Sequence, residues 1–176
     1  MAEPIIIQRY RDIARDLSNA VAGEIDEIFF EASNTKSFAT PEARIAFRHR
    51  WLGRYLANYP HFAYVAIDRE QRVAGYLVGA IEKSDGAADA DPFATFAVDY
   101  PAHLHVNVAA RDRGRGIGGQ LIAVFVDELR IAGAAGVHVV TSAASDNVRF
   151  YKRNGFAEVA RGGKADALVF LGRRLR

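Results

Sequence analysis

Nine residues, Arg111-Asp112-Arg113-Gly114-Arg115-Gly116-Ile117-Gly118-Gly119, constrain this chain more than any other stretch. Before them, Ala102 to Val108 alternates as a strand, with His103, His105 and Asn107 on one face and Leu104, Val106 and Val108 on the other. After them, Ile117, Leu121, Phe125 and Leu129 recur every four residues, a helical stripe from about Gly116 to Ala132 that stops at Gly133. A strand that gives way to glycines and then to a helix brings unpaired backbone N–H groups and a positive dipole end to one turn. The absent side chains let a ligand approach. The turn reads as a cradle for an anion.

Which anion is a matter of context. Gly114-x-Gly116-x-x-Gly119 also satisfies the dinucleotide fingerprint. Yet the turn lies past mid-chain, the strands before it look antiparallel, and the next strand ends at Thr141 with no acidic residue for a ribose diol. A Walker loop fails as well, because no Gly-Lys-Ser/Thr follows. Charge placement agrees with an anion: residues 1–100 carry 11 Lys/Arg against 15 Asp/Glu, whereas residues 101–176 carry 12 against 6. The chain has no cysteine, so disulfides, thiolate metal sites and a cysteine nucleophile are excluded.

The rest of the chain reads as one domain over residues 1–176, of mixed α/β (α+β) class around a twisted, largely antiparallel sheet flanked by helices. Ile5-Ile6-Ile7 is a first strand, and Ile13, Leu17, Val21, Ile25 and Phe29 mark a helix over about Asp12 to Ala32. Thr40-Pro41 opens a second helix with Phe47, Trp51 and Tyr55 on one stripe, ended by Tyr59-Pro60. His61 to Asp68 and Arg72 to Glu82 form a hairpin, in which Gly75 signals a bulge or a close backbone contact. Residues 83–100 hold no period and read as a surface loop. A strand at Val137 to Thr141, a short helix from Ser145 to Gly155, and strands at Phe156 to Ala160 and Asp166 to Leu171 around a turn at Arg161–Lys164 complete the map.

Arg111-x-x-Gly114-x-Gly116 resembles the Q/R-x-x-G-x-G/A signature of the GNAT superfamily of N-acetyltransferases. Asn147, Phe150-Tyr151 and Gly155-Phe156 resemble that family's second block, a helix carrying Asn and Tyr that ends in Gly-Phe. The order β-α-α-β-β-β-α-β-α-β-β is similar to the family's over nearly the whole chain. Within it, Tyr100-Pro101-Ala102-His103-Leu104-His105 resembles the acetyltransferase-like domain of O-GlcNAcases and its free-standing bacterial relatives, and the His-x-His resembles arylalkylamine N-acetyltransferases.

The resemblance implies acetyl-CoA as cosubstrate and direct transfer of acetyl to a primary amine. It implies a splayed strand whose backbone at Val106, Asn107 and Val108 meets pantetheine and the thioester. Amides from Arg113 through Gly114, Arg115, Gly116, Ile117, Gly118 and Gly119 would bind the pyrophosphate, with Arg111, Arg113 and Arg115 adding charge. Tyr151 would be the general acid for the departing thiolate, with Asn147 and Phe150 beside the cofactor. The other reading of Tyr151 is a core aromatic, and of Asn147 a helix cap.

His103 and His105 share a strand face, and imidazole is suited to accept the amine proton, His105 lying nearer the splayed segment. A hydrogen-bonded histidine pair is the alternative, and no metal site is expected. The acceptor is a small-molecule or protein amine, and the aspartates of 85–99 would favour a cationic one if they border its cleft. Neither nucleic acid nor a membrane is expected as partner, a homodimer is left open, and the absence of a leader or apolar span suggests a cytoplasmic protein. The rival class is an acetyl-CoA-binding sensor or interaction module without turnover.

Overall fold

A computed structural model describes residues 4–13, 15–82 and 91–176 of the chain. In chain order the elements are β1 (Ile6–Arg9), α1 (Arg15–Ala32), α2 (Pro41–Arg48), α3 (Arg54–Asn58), β2 (Ala63–Ile67), β3 (Val73–Ile81), β4 (Ala102–Val108), α4 (Ile117–Ile131), β5 (Gly136–Ser142), α5 (Asn147–Arg153), β6 (Ala157–Gly162) and β7 (Leu168–Arg174). The seven strands form one sheet in the order β1-β2-β3-β4-β5-β7-β6. Among the described residues, β4 and β5 run parallel, at Ala102↔Val137 and His103↔His138, and the ladders β1·β2, β2·β3, β5·β7 and β6·β7 are antiparallel. At β3·β4, Ala109 N–H donates to the Ala74 carbonyl and Glu82 N–H to the Pro101 carbonyl, which is an antiparallel sense. The expected mixed, largely antiparallel class is what the chain adopts. Among the described residues no helix is long and apolar enough to cross a membrane.

Chain contacts group into two compact units: Met1–Gly79 with His105–Phe125, and Ala80–Leu104 with Val126–Arg176. In the first, α1 buries Val21, Ile25 and Phe29 of the stripe read from the sequence, leaves Leu17 half-buried, and adds Ile28, which the spacing of four did not include. It starts at Arg15 rather than Asp12, because Tyr10–Asp12 turns as a 3₁₀ segment. The Thr40 hydroxyl accepts the Ala43 N–H at 3.1 Å and Pro41 follows at N1, as the sequence predicts. The expected single helix to Tyr59 is corrected, since α2 passes through a π turn, His49–Gly53, into α3. The wider turn brings Leu52 (0% exposed) to the buried position that spacing assigns to Trp51, leaving Trp51 39% exposed, while Tyr55 stays buried. Gly75 meets both of its expectations. The β2·β3 register shifts at Ala66/Ile67, opposite it, and a Cβ on Gly75 would lie 2.9 Å from the Asn107 carbonyl oxygen.

In the second unit, Phe93, Tyr100 and Phe170 form a buried cluster with Phe96, Val159 and Ala160 packed against it. The loop reading of 83–100 is thereby corrected for residues 91–100. Asp91 Oδ1 accepts the Phe93 N–H at 2.9 Å, and tight turns rather than a regular period carry the aromatics inward. Residues 83–90, with Asp85 and Asp89, lie outside the described residues. The last hairpin differs from expectation too, because β6 extends to Gly162 and the connection runs through Gly163 and the 3₁₀ segment Lys164–Asp166.

Candidate functional site

In the first unit, β4 ends at Val108 and the chain makes a 3₁₀ turn, Ala110–Asp112, before α4. Buried Asp112 organises this turn. Its Oδ1 pairs with the Arg115 guanidinium, and its Oδ2 lies 3.3 Å from Arg111 Nε. Arg111 Nη2 donates to the Val73 carbonyl at 2.8 Å and lies 3.8 Å from Glu24, whose Oε2 accepts the Val73 N–H at 2.8 Å. Arg113, on the exposed rim, donates to the Val108 carbonyl at 3.2 Å. Arg111 and Arg115 therefore brace the turn, and two carboxylates stand among the three guanidiniums. Asp112, which the sequence reading left without a role, is the residue that does this; its one- and three-residue spacings to Arg111 and Arg115 were the available signal.

Beyond the brace the backbone opens. Gly114 (φ 79°) and Gly116 (φ 78°) occupy the left-handed region, and an added Cβ at either would have nothing within 4 Å. Glycine is required here for conformation, and the space beside it is clear. The first bond into α4 is Gln120 N–H to the Gly116 carbonyl, 3.1 Å, so the N–H groups of Ile117, Gly118 and Gly119 precede the helical ladder. Buried Ile117 anchors this end. Three amides at the positive end of a 15-residue helix fit a diphosphate.

On β4, half-buried Val106 precedes Asn107, whose Nδ2 donates to the Tyr76 hydroxyl at 2.8 Å; burial pushes that phenol's pKa up. The Asn107 side chain is thus committed to the core, and its backbone is what faces Gly75. His105 Nε2 lies 3.1 Å from the Tyr55 hydroxyl, which also accepts from Arg54 Nη2 at 2.8 Å. The rings of Tyr55 and Trp51 stand edge-on to the imidazole at 5.3 and 5.7 Å. The sequence reading missed Tyr55 and Trp51 as neighbours of His105, having placed them only on a helical stripe.

His103 has different company, in the second unit. Its Nε2 is 3.8 Å from Glu82 Oε2, and its ring is 5.6 Å from that of His138. His138 Nδ1 donates to the Tyr100 carbonyl at 2.7 Å and its ring stacks on Phe170 at 4.7 Å. Burial lowers the His138 pKa, which keeps that imidazole neutral. Among the described residues no group of three His, Asp or Glu is arranged to hold a metal. Asp91 caps a turn and Asp99 pairs with Arg174 at 2.9 Å, so both described aspartates of the acidic stretch have structural partners.

The same unit holds the second block. α5 closes in a Schellman motif: Gly155 (φ 84°) follows the helix, Gly155 N–H donates to the Lys152 carbonyl, and Phe156 N–H donates to the Tyr151 carbonyl at 3.1 Å. The Tyr151 and Phe156 rings meet at 5.5 Å, the apolar contact this motif brings with it. Gly-Phe after the helix is therefore a device that fixes Tyr151. The Tyr151 side chain is 6% exposed, burial pushes its phenol pKa up, and the ring also meets Phe150 at 5.1 Å. Asn147 is the first residue of α5 and exposed, behind an N-cap that Asp146 occupies, so its side chain does not cap the helix.

A family model described as an acetyltransferase (GNAT) domain matches residues 60–158, more than half of the chain. Among solved structures, SsHAT is 22% identical, with 98% of each chain covered and a TM-score of 0.73. An N-acetyltransferase from Staphylococcus aureus Mu50 is 18% identical, covering 98% of this chain and 99% of that one, with a TM-score of 0.64. The NatC complex bound to Gag peptide and CoA is 14% identical, covering 98% and 99%, with a TM-score of 0.65. At these identities the likeness is one of fold, and the family match supplies the rest: a β4-to-α4 glycine turn within residues 60–158 belongs to a chain of the GNAT acetyltransferase family.

Proposed function

We propose that this chain is an acetyl-CoA-dependent N-acetyltransferase, acting as one domain over residues 1–176 and moving acetyl directly to a primary amine of a small molecule or protein. The observation that carries the reading is the turn itself: two left-handed glycines with clear space beside them, at the head of α4. Backbone amides from Arg113 to Gly119 would hold the pyrophosphate. The backbone of Val106 to Val108, beyond the two residue pairs that join β4 to β5, would hold pantetheine. Asn147 and Phe150 are proposed cofactor contacts, and the NatC structure, which contains CoA, supports the ligand class.

Acetyl-CoA supplies an activated acyl group. Tyr151 keeps its proton at neutral pH, because burial disfavours the phenolate, and so has one to give where a thiolate leaves. His105 is the proposed base for the ammonium or amine proton, and His103 the second candidate; the tie of His103 to Glu82 makes it the more structural of the two. The absence of cysteine supports transfer straight to the amine. The Tyr100–His105 segment supports a place near the acetyltransferase-like domain of O-GlcNAcases within the family.

The test pairs calorimetry with turnover. Wild-type protein is expected to bind acetyl-CoA, and Tyr151→Phe to bind it equally while releasing CoA roughly 100-fold more slowly in a thiol-release assay over an amine panel. Absence of acetyl-CoA binding removes the reading, and equal rates remove the acid assignment.

A further inference from the structure

The arm whose Trp51 and Tyr55 meet His105 is cationic. Residues 41–58 hold four arginines, Arg44, Arg48, Arg50 and Arg54, against one carboxylate, Glu42. Asp26 of α1 neutralises Arg48 in a bidentate pair at 2.8 Å. Arg50 is exposed and differs: among the described residues no carboxylate pairs with it, and its guanidinium lies over the indole of Trp51, 4.9 Å from the ring centroid. Trp51, the single tryptophan of the chain, is left 39% exposed where the π turn buries Leu52, and it meets the His105 imidazole edge-on at 5.7 Å. Its indole N–H has no acceptor among the described residues. Arg44 stacks on Phe30 in the same way, 3.7 Å from the centroid, but that ring packs against Phe29 and Phe38.

Placed end to end, the two spans bring the Arg50 guanidinium within the length of one small substrate of the proposed base, across a half-exposed aromatic face. A cation there attracts a carboxylate and repels an ammonium, and so favours the unprotonated amine that attack on a thioester requires. Stacking on the indole holds the guanidinium plane in advance, so less side-chain freedom is lost when an anion pairs with it. Resting on the reading of His105 as the base, we propose that Arg50 and Trp51 form an anion subsite for the acceptor. The amine that reaches His105 carries a carboxylate a few bonds away, which pairs with Arg50 while its carbon skeleton lies against the indole. Such an acceptor is an amino acid, through its α-carboxylate, or a peptide whose first residue is Asp or Glu.

Fluorescence of the single tryptophan reports this subsite without turnover. Two matched pairs serve as probes in the presence of CoA: L-phenylalanine with 2-phenylethylamine, and tetrapeptides that begin with Asp or Asn and are otherwise identical. The carboxylate-bearing member of one pair is expected to give a saturable change that its neutral counterpart does not give at equal concentration. Which pair responds separates a free amino acid from a chain terminus. In acetyl-CoA turnover that same member is expected to show a KM about tenfold lower at similar kcat, since Arg50 acts in binding and not in proton transfer. Arg50→Gln is expected to erase both differences. Arg44→Gln removes the same charge from the same arm and is expected to keep them. Equal or absent responses within both pairs, or an effect of Arg44→Gln as large as that of Arg50→Gln, overturn this proposal while acetyl transfer stands. Thiol release with no amine at all overturns the catalytic reading, and the fluorescence titration still decides the subsite.

Discussion

Replacing Gly75 by alanine tests whether the tight seam against β4 is what the fold depends on. The new Cβ would sit 2.9 Å from the Asn107 carbonyl oxygen and 3.3 Å from both Cα and Cγ2 of Val108. Ordinary carbon contacts lie at about 3.5 Å, so the two strands must separate by a few tenths of an ångström. The nearest atoms are backbone, and Ala109 N–H is tied to the Ala74 carbonyl at 2.9 Å, so no side-chain rotation relieves the overlap. Overpacking of this kind costs about 1–3 kcal/mol, from which the reduced entropy of the unfolded chain returns about 0.4–1 kcal/mol. A net loss of roughly 1–2 kcal/mol corresponds to a melting temperature about 2–8 °C lower for a chain of this size. Calorimetric melting of the purified variant reads this directly. Acetyl-CoA titration should show weaker binding as well, because the displaced atoms belong to Asn107 and Val108. An unchanged or raised melting temperature would refute the argument.

Gly116→Ala meets no atom and carries only the conformational cost of φ 78°, about 1–2 kcal/mol, while Gly116→Asn costs less. Melting temperatures in the order Gly, Asn, Ala, with acetyl-CoA affinity following, are expected; an alanine variant as stable as wild type contradicts the assignment. Alkaline titration checks the two buried phenols. Burial raises the folded-state pKa of Tyr76 and Tyr151 above the unfolded value near 10, so their favourable effect on stability is complete below about pH 10 and lost as pH rises beyond it. Each contributes a slope of at most about 1.4 kcal/mol per pH unit, and urea titrations at stepped pH should find a shallower alkaline decline in Tyr151→Phe.

Much of this architecture is legible in the residues because local rules and packing agree. Thr40-Pro41 announces a helix start that the Ala43 N–H confirms, and Gly75 announces a crowded strand. The α1 stripe at Val21, Ile25 and Phe29 is buried as its spacing requires. What escaped reading depends on a partner far away in sequence. Nothing in the Trp51–Tyr55 spacing tells that the helix will widen and bury Leu52 in place of Trp51. Nor does the run 91–100 reveal that Phe93 and Tyr100 have Phe170 waiting for them. At the turn, the positions of Gly114 and Gly116 were readable, but which arginines are spent internally was not, since Val73 and Glu24 lie about 40 and 90 residues upstream.

The widened turn at His49–Gly53 ties the length of this arm to the contact between Tyr55 and His105 on β4. A regular helix tolerates the gain or loss of residues at the cost of sliding its stripe, but here one residue more or fewer between Trp51 and Tyr55 rotates the phenol by about 100° away from His105. Residues 33–40, upstream, are not helical, yet Phe38 among them packs against Phe30 at 6.0 Å and Phe47 at 5.2 Å, so the entry to the arm is aligned as well. The arm behaves as a ruler whose graduations cannot be moved.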